Sequence, residues 1–280
     1  MSAASRRAAA MSGRPRAWLY VVGALVSVFL IMPSAVVIVM SFSSGRLMTF
    51  PPPGYGIEWY RHFFQSGEWT GAALNSIRIG LLSAALATVA GTLTALGLVR
   101  GRPVAARTIN ALMMSPLIVP VVIAAIGMYL AYHRLGLGSF AGLVMGHTVL
   151  GIPFPTITVA ASLYGLDPDL ELAARNLGAG PLRSFWRITL PMILPGVLVG
   201  AAFAFVASWD EIVVALFLTS PTFKTLPVTM WEQAKYTVDP TIAAASSMLT
   251  AFAMLVLVAV LSVRGLQSLQ AGQRAERAAP

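Results

Sequence analysis

The chain has 280 residues, 57% of them hydrophobic and 10% charged, with a mean hydropathy of +0.78, so most side chains cannot face water and an integral membrane protein is expected. Lys and Arg number 19 against 10 acids, but they cluster at the ends of apolar runs, a pattern that orients helices in a bilayer and does not bind nucleic acid. The absence of Cys excludes disulfides, Cys-ligated metal and thiol catalysis, and His62, His133 and His147 show no paired metal-ligand spacing, so no metal site is expected.

Residues 1–16 carry Arg6, Arg7, Arg14 and Arg16 and read as an N-terminal tail. Ala17 to Phe42 follows as 26 residues without a charge, too long for the apolar core of a cleaved signal and lacking a cleavage site after it. It reads as a retained first span. The segment 43–71 mixes a proline turn with Trp59, Tyr60, Phe63, Phe64 and Trp69, which fits an interfacial aromatic belt or contact with an external partner. Further apolar stretches at 72–99, 108–132, 138–163, 192–219 and 240–263 are each long enough to cross about 30 Å of hydrocarbon. Six spans are expected, within a transmembrane domain over 17–264 and before a cytoplasmic tail over 265–280, whose last stretch "QAGQRAERAAP" (270–280) reads as unstructured. Placing the N-terminus in the cytoplasm puts 13 basic residues inside and 5 outside, with Arg78 left within the second span. Both termini are therefore expected in the cytoplasm.

Between the fourth and fifth spans the pattern changes. Asp167-Pro168 supplies an N-cap followed by a proline at the first helical position, and Asp169 and Glu171 place negative charge in the first turn. Leu170, Ala173, Ala174 and Leu177 then recur on one narrow apolar face. Gly178 can end the helix in the left-handed conformation, and Gly180-Pro181 prevents its continuation. A helix of about 11 residues over 167–178 is too short to span, so it must lie on the inner face.

From Ala173-Ala174 the chain reaches Gly178, nine further residues, Ile188 and Leu190-Pro191. This spacing over 171–196 resembles the EAA signature of permease subunits of binding-protein-dependent ABC importers. The glutamate of that signature would fall at Leu172, whereas Glu171 lies one residue earlier, rotated about 100° around the helix. "NSIRIGLLSAALATVAGTLTALGLVR" (75–100), "SPLIVPVVIAAIGMYLAY" (115–132) and "FVASWDEIVVALFLTSPTFKTLPVTMW" (205–231) are similar to the second permease of spermidine/putrescine importers, the PotC type.

The resemblance implies an all-α type I ABC importer permease of the bacterial inner membrane that is not itself an enzyme. In it, Glu171, Ala173, Ala174, Leu177 and Gly178 would form the coupling helix, seated on an ATPase subunit. It further implies a PotB-like partner permease, two ATPase subunits that bind the ATP and Mg, and an extracytoplasmic solute-binding protein; no cofactor is expected in this chain. In agreement, the chain has no phosphate-binding G-x-x-x-x-G-K-[ST] loop.

Of the ten acids, only Asp210 and Glu211 are flanked on both sides by apolar sequence of membrane length. A charge near the bilayer centre costs about 2.5–3.5 kcal/mol, so the pair should face a polar cavity or a partner. With Trp209 they are candidates to line the substrate pathway, where a transported polycation would suit them. Three other placements stay open: at the outer interface, should the fifth helix start as early as Ile188; paired with Arg78 as a structural counter-charge; or buried and protonated. Pro191 and Pro195 favour the later start. Rival functions are a permease for another small organic solute, an ion-coupled secondary carrier using Asp210 or Glu211, and a non-transporting scaffold.

Overall fold

A computed structural model of the chain describes residues 17–101, 103–167, 169–236 and 239–278. The expected N-terminal tail with its four arginines, Arg102 and Pro168 lie outside the described residues. The regular structure described is helical, apart from isolated bridges joining Ser43 to Tyr55 and Ser220 to Phe223. In chain order the helices are α1 (Ala17–Ser41), α2 (Glu58–Gln65), α3 (Gly67–Arg100), α4 (Pro103–Ile118), α5 (Val121–Arg134), α6 (Ser139–Gly151) and α7 (Pro153–Tyr164). They are followed by α8 (Asp169–Asn176), α9 (Pro181–Trp209), α10 (Val213–Leu218), α11 (Leu226–Tyr236) and α12 (Thr241–Ala278). Five stretches are long and apolar enough to cross a membrane, and α4 with α5 supplies a sixth if taken together.

Three expectations need correction. The third span is not one helix: α4 and α5 meet at a bend of 107°. Pro120 has no N–H to continue the ladder and disfavours helical backbone at Val119, so α4 stops and a new helix starts from Pro120. The fifth span runs over 181–209 and not 192–219, because Pro191 does not delay its start. The helix widens into a π-turn at Phe185–Thr189, with the Leu190 N–H bonding to the Phe185 carbonyl, and this admits the proline ring without a break. Finally, the tail expected to be unstructured continues α12 to Ala278.

The centre of the bundle is α3 against α7 and α9, with α6 packed on α3 and α9. Helices in lipid gain little from hiding apolar surface from one another, so close backbone approach and van der Waals contact must hold them. Accordingly α3 turns Ser76, Gly80, Ser83, Ala87, Gly91 and Ala95 inward. On α9, Gly196 and Gly200 lie one turn apart against α7, where a Cβ at Gly196 would stand 2.8 Å from the Thr158 carbonyl oxygen and one at Gly200 would overlap Pro155 Cα. By contrast α1 packs on α12 and leaves Trp18, Tyr20, Phe29 and Leu30 exposed. Its far end is held by hydroxyls, Tyr60 bonding both Ser41 and Ser247 at 2.7 Å. Phe63 and Trp69, expected in an aromatic belt or on a partner, are buried in the core instead.

Candidate functional site

Two regions at opposite ends of the bundle hold the candidate residues, separated by the length of α9, about 43 Å for 29 residues at 1.5 Å each.

At one end, α8 is held between Asp167 and Gly178. The Asp167 carboxylate accepts the Asp169 N–H at 3.0 Å, which caps the start of the helix. At its end the N–H of Ala179 bonds the Ala174 carbonyl at 3.0 Å and that of Gly178 bonds Arg175 at 2.9 Å, with Gly178 at φ +83°. This is the paired closure that a left-handed glycine permits. Of the four residues expected on one apolar face, Ala174 alone is buried; Leu170, Ala173 and Leu177 point away from the protein, Leu177 being 89% exposed, as does Leu172. Glu171 turns inward. It pairs with Arg100 at the last turn of α3 and accepts a bond from the Thr189 hydroxyl in the π-turn of α9 at 2.5 Å. The charge of α8 therefore ties it to two central helices, while its outer side is apolar and unpaired among the described residues. Arg100 and Thr189 were not legible as partners, since nothing local in sequence links positions 71 and 18 residues away.

At the other end, α9 stops at Trp209, so Asp210 and Glu211 do not sit inside a spanning helix. Asp210 is the C-terminal cap residue, at φ −99° and ψ 1°, and its side chain is exposed. Glu211 curls onto the start of α10, where its carboxylate accepts the N–H groups of Val213 at 3.1 Å and Val214 at 2.9 Å. Outside the span, partial removal from water, even at exposed Asp210, pushes both carboxyls above the ordinary carboxylate range, opposed at Glu211 by those amide bonds. Among the described residues the ion pairs are Arg100 with Glu171 and Lys224 with Glu232, so Arg78 does not pair with either acid; it is exposed on α3. Trp209 is buried, stacked on Phe205 and tilted against Phe252, with its indole N–H on the Leu249 carbonyl at 3.1 Å.

The segment after Glu211 folds back over the bundle. Leu226 N–H bonds the Ser76 hydroxyl at 2.8 Å, and Asn75 Nδ2 donates to the Lys224 carbonyl at 3.0 Å, which fixes α11 to the first turns of α3. Beneath it, buried His147 of α6 bonds Ser208 of α9 through Nδ1 at 2.7 Å.

A model of the family described as "Binding-protein-dependent transport system inner membrane component" matches residues 86–272. The spermidine/putrescine transport system permease protein PotC of Escherichia coli K12 is 31% identical over 236 residues, covering 82% of this chain and 88% of that protein. The putrescine transport system permease protein PotI of the same organism is 30% identical over 240 residues, covering 83% and 85%. Among solved structures, a bacterial ABC transporter involved in the import of the acidic polysaccharide alginate superimposes with a TM-score of 0.64 at 18% identity, covering 90% of this chain and 95% of that one. At that identity the likeness speaks for the fold alone.

Proposed function

Because the chain belongs to the binding-protein-dependent transport system inner membrane components, and is thus a multi-pass permease subunit of an ABC importer, we propose that it moves polyamines as one half of a two-permease pathway. A transporter component needs no catalytic residues of its own, and ATP hydrolysis falls to two separate ATPase subunits that hold the ATP and Mg. A PotB-like permease completes the pathway, an extracytoplasmic binding protein delivers the solute, and both termini face the cytoplasm. Polyamine cargo is supported by the two relatives, named for spermidine and putrescine transport, at about 30% identity over four-fifths of the chain.

The observation that carries the coupling role is the division of labour on α8: Glu171 inward to Arg100 and Thr189, and Leu172, Ala173 and Leu177 outward. An ATPase groove closing on the outer side would move α3 and α9 together, since both are tied to the same carboxylate. ATP binding would draw the two coupling helices of the pair towards each other and turn the cavity outward; hydrolysis would reset it. Proteoliposomes carrying the assembled transporter and its binding protein should take up radiolabelled putrescine only with ATP inside the ATPase compartment, and should continue when ionophores collapse proton and sodium gradients. Uptake that stops with the gradients and ignores ATP would point to the secondary carrier. The other reading is a permease for a different organic solute; ATP-driven uptake of such a solute with no amine transport would establish it.

A further inference from the structure

Near the α8 end of the bundle, α4 and α7 border a cavity of about 440 Å³ that takes no part in the contacts of α8. Its two long walls are helix faces. Arg107, Asn110 and Met114 follow one another along α4, and Ile157, Ala161 and Tyr164 along α7, at the three- and four-residue steps that put side chains on one side of a helix. The end of α3 carries the Arg100 that pairs with α8, and α4 runs away from it while α7 runs towards α8. Arg107 and Tyr164 therefore mark the α8 end of the cavity, and Met114 and Ile157 the end towards the middle of the bundle. Thr156 also lines it, but its hydroxyl is spent on the Ile152 carbonyl at 2.8 Å. Arg107 is the one charged residue of the lining; it is exposed and makes no ion pair among the described residues, whereas Arg100 is taken by Glu171.

A guanidinium with an amide and a phenol beside it at one end, and thioether and aliphatic surface at the other, describe a ligand with an anionic head and a hydrocarbon body. A basic residue that merely flanks a span needs no such concavity. A polyamine would be repelled by Arg107, and a free inorganic anion has no use for the apolar half. We propose that this cavity binds an anionic phospholipid: Arg107 holds the phosphate, Asn110 and the Tyr164 hydroxyl donate beside it, and the first methylenes of an acyl chain lie along Met114, Ile157 and Ala161. Guanidinium matches phosphate oxygens with two parallel N–H donors, and a long basic side chain near a helix end reaches the headgroup layer while its stem stays in hydrocarbon. Basic pockets between spanning helices take anionic headgroups in this way. A lipid held there braces α4 against α7 beside the Arg100 end of α3. The assignment is independent of the solute carried.

The test is native mass spectrometry of the assembled transporter loaded with dioleoylphosphatidylglycerol or dioleoylphosphatidylcholine, which share their acyl chains and differ in net charge. The wild type should retain phosphatidylglycerol in preference. Arg107→Gln should weaken that retention about tenfold, as for the loss of a charged hydrogen bond, and leave phosphatidylcholine unchanged. Arg107→Lys should fall between, because an ammonium keeps the charge and loses the fork. Ala161→Phe should displace the lipid with Arg107 intact, by filling the cavity. Both positions are exposed, so assembly should survive and is checked by ATPase co-purification; the two Arg107 variants carry the test should Ala161→Phe fail to assemble. A photoreactive benzoylphenylalanine in place of Tyr164 should crosslink to phosphatidylglycerol in nanodiscs. Crosslinking to the companion permease instead would give the cavity to the subunit interface, and displacement of the lipid by excess inorganic phosphate would make it a site for a soluble anion; either result overturns the proposal. So would phosphatidylglycerol retention at the wild-type level in Arg107→Gln.

Discussion

Gly178 shows how much a single backbone angle settles. Its φ of +83° costs a non-glycine residue about 1–2 kcal/mol and a β-branched one more, and nothing else in the structure crowds the position. Gly178→Val should therefore misdirect the end of α8 while leaving insertion intact: co-purification of the ATPase and ATP-driven uptake should fall at least severalfold at normal membrane yield. Retention of both at wild-type level would remove α8 from the coupling path. Gly178 was legible in sequence because a helix stop is local chemistry. Glu171 was legible as a charge at a helix start, but its inward direction was not, since it depends on where Arg100 and Thr189 arrive in space. The acids at 210 and 211 divide the same way. Their isolation was visible in sequence; that Glu211 would cap α10 while Asp210 stayed free depended on α9 ending one residue earlier.

Among the elements, α9 departs most from what the sequence implied, and the reason is specific. Two prolines near a helix start normally argue that the helix begins at them, but a π-turn ahead of Pro191 lets an earlier helix pass through. Apolar length is read well from composition; the register of a helix end is not. Close packing, however, is written in the glycines. Gly200→Ala would drive a methyl group into the Pro155 backbone and should cost about 1–3 kcal/mol, lowering the thermal midpoint of the purified transporter by several degrees. Gly97→Ala is the contrast on α3, with no atom within 4 Å of its would-be Cβ, and should leave the midpoint unchanged or higher because alanine favours helix. Equal midpoints for the two variants would mean that α7 and α9 are not packed backbone to backbone.

Across the whole molecule, α3 and α9 pack side by side and are tied together at the α8 end. Glu171 links Arg100 of one to Thr189 of the other, and at the opposite end α11 hangs from Ser76 and Asn75 while Asp210 closes α9. Under the coupling reading, a push at α8 would travel along the packed α3 and α9 towards the end where Asp210 caps α9. The all-α class and the six apolar stretches were legible because hydrophobic length is a one-dimensional signal; the bend within the third was not, because Pro120 sits within an otherwise continuous apolar run. Sidedness is testable in a chain without native Cys. Single cysteines at exposed Gln65 and Thr222 should react with a membrane-impermeant maleimide in intact cells, and one at exposed Asn176 only after permeabilisation. The reverse pattern would turn the molecule over and strand α8 on the wrong side for an ATPase.

The bend between α4 and α5 raises the matter of what covers it in a membrane. It breaks the hydrogen-bond ladder in a membrane-length apolar stretch, next to Leu117 and to Ile118, which is 79% exposed. Hydrocarbon tolerates an interrupted backbone only where protein or water covers it. If the proposed companion permease covers this corner, a copy made in excess of that partner would carry it into the lipid uncovered, and matched synthesis of the two becomes a question of subunit stoichiometry.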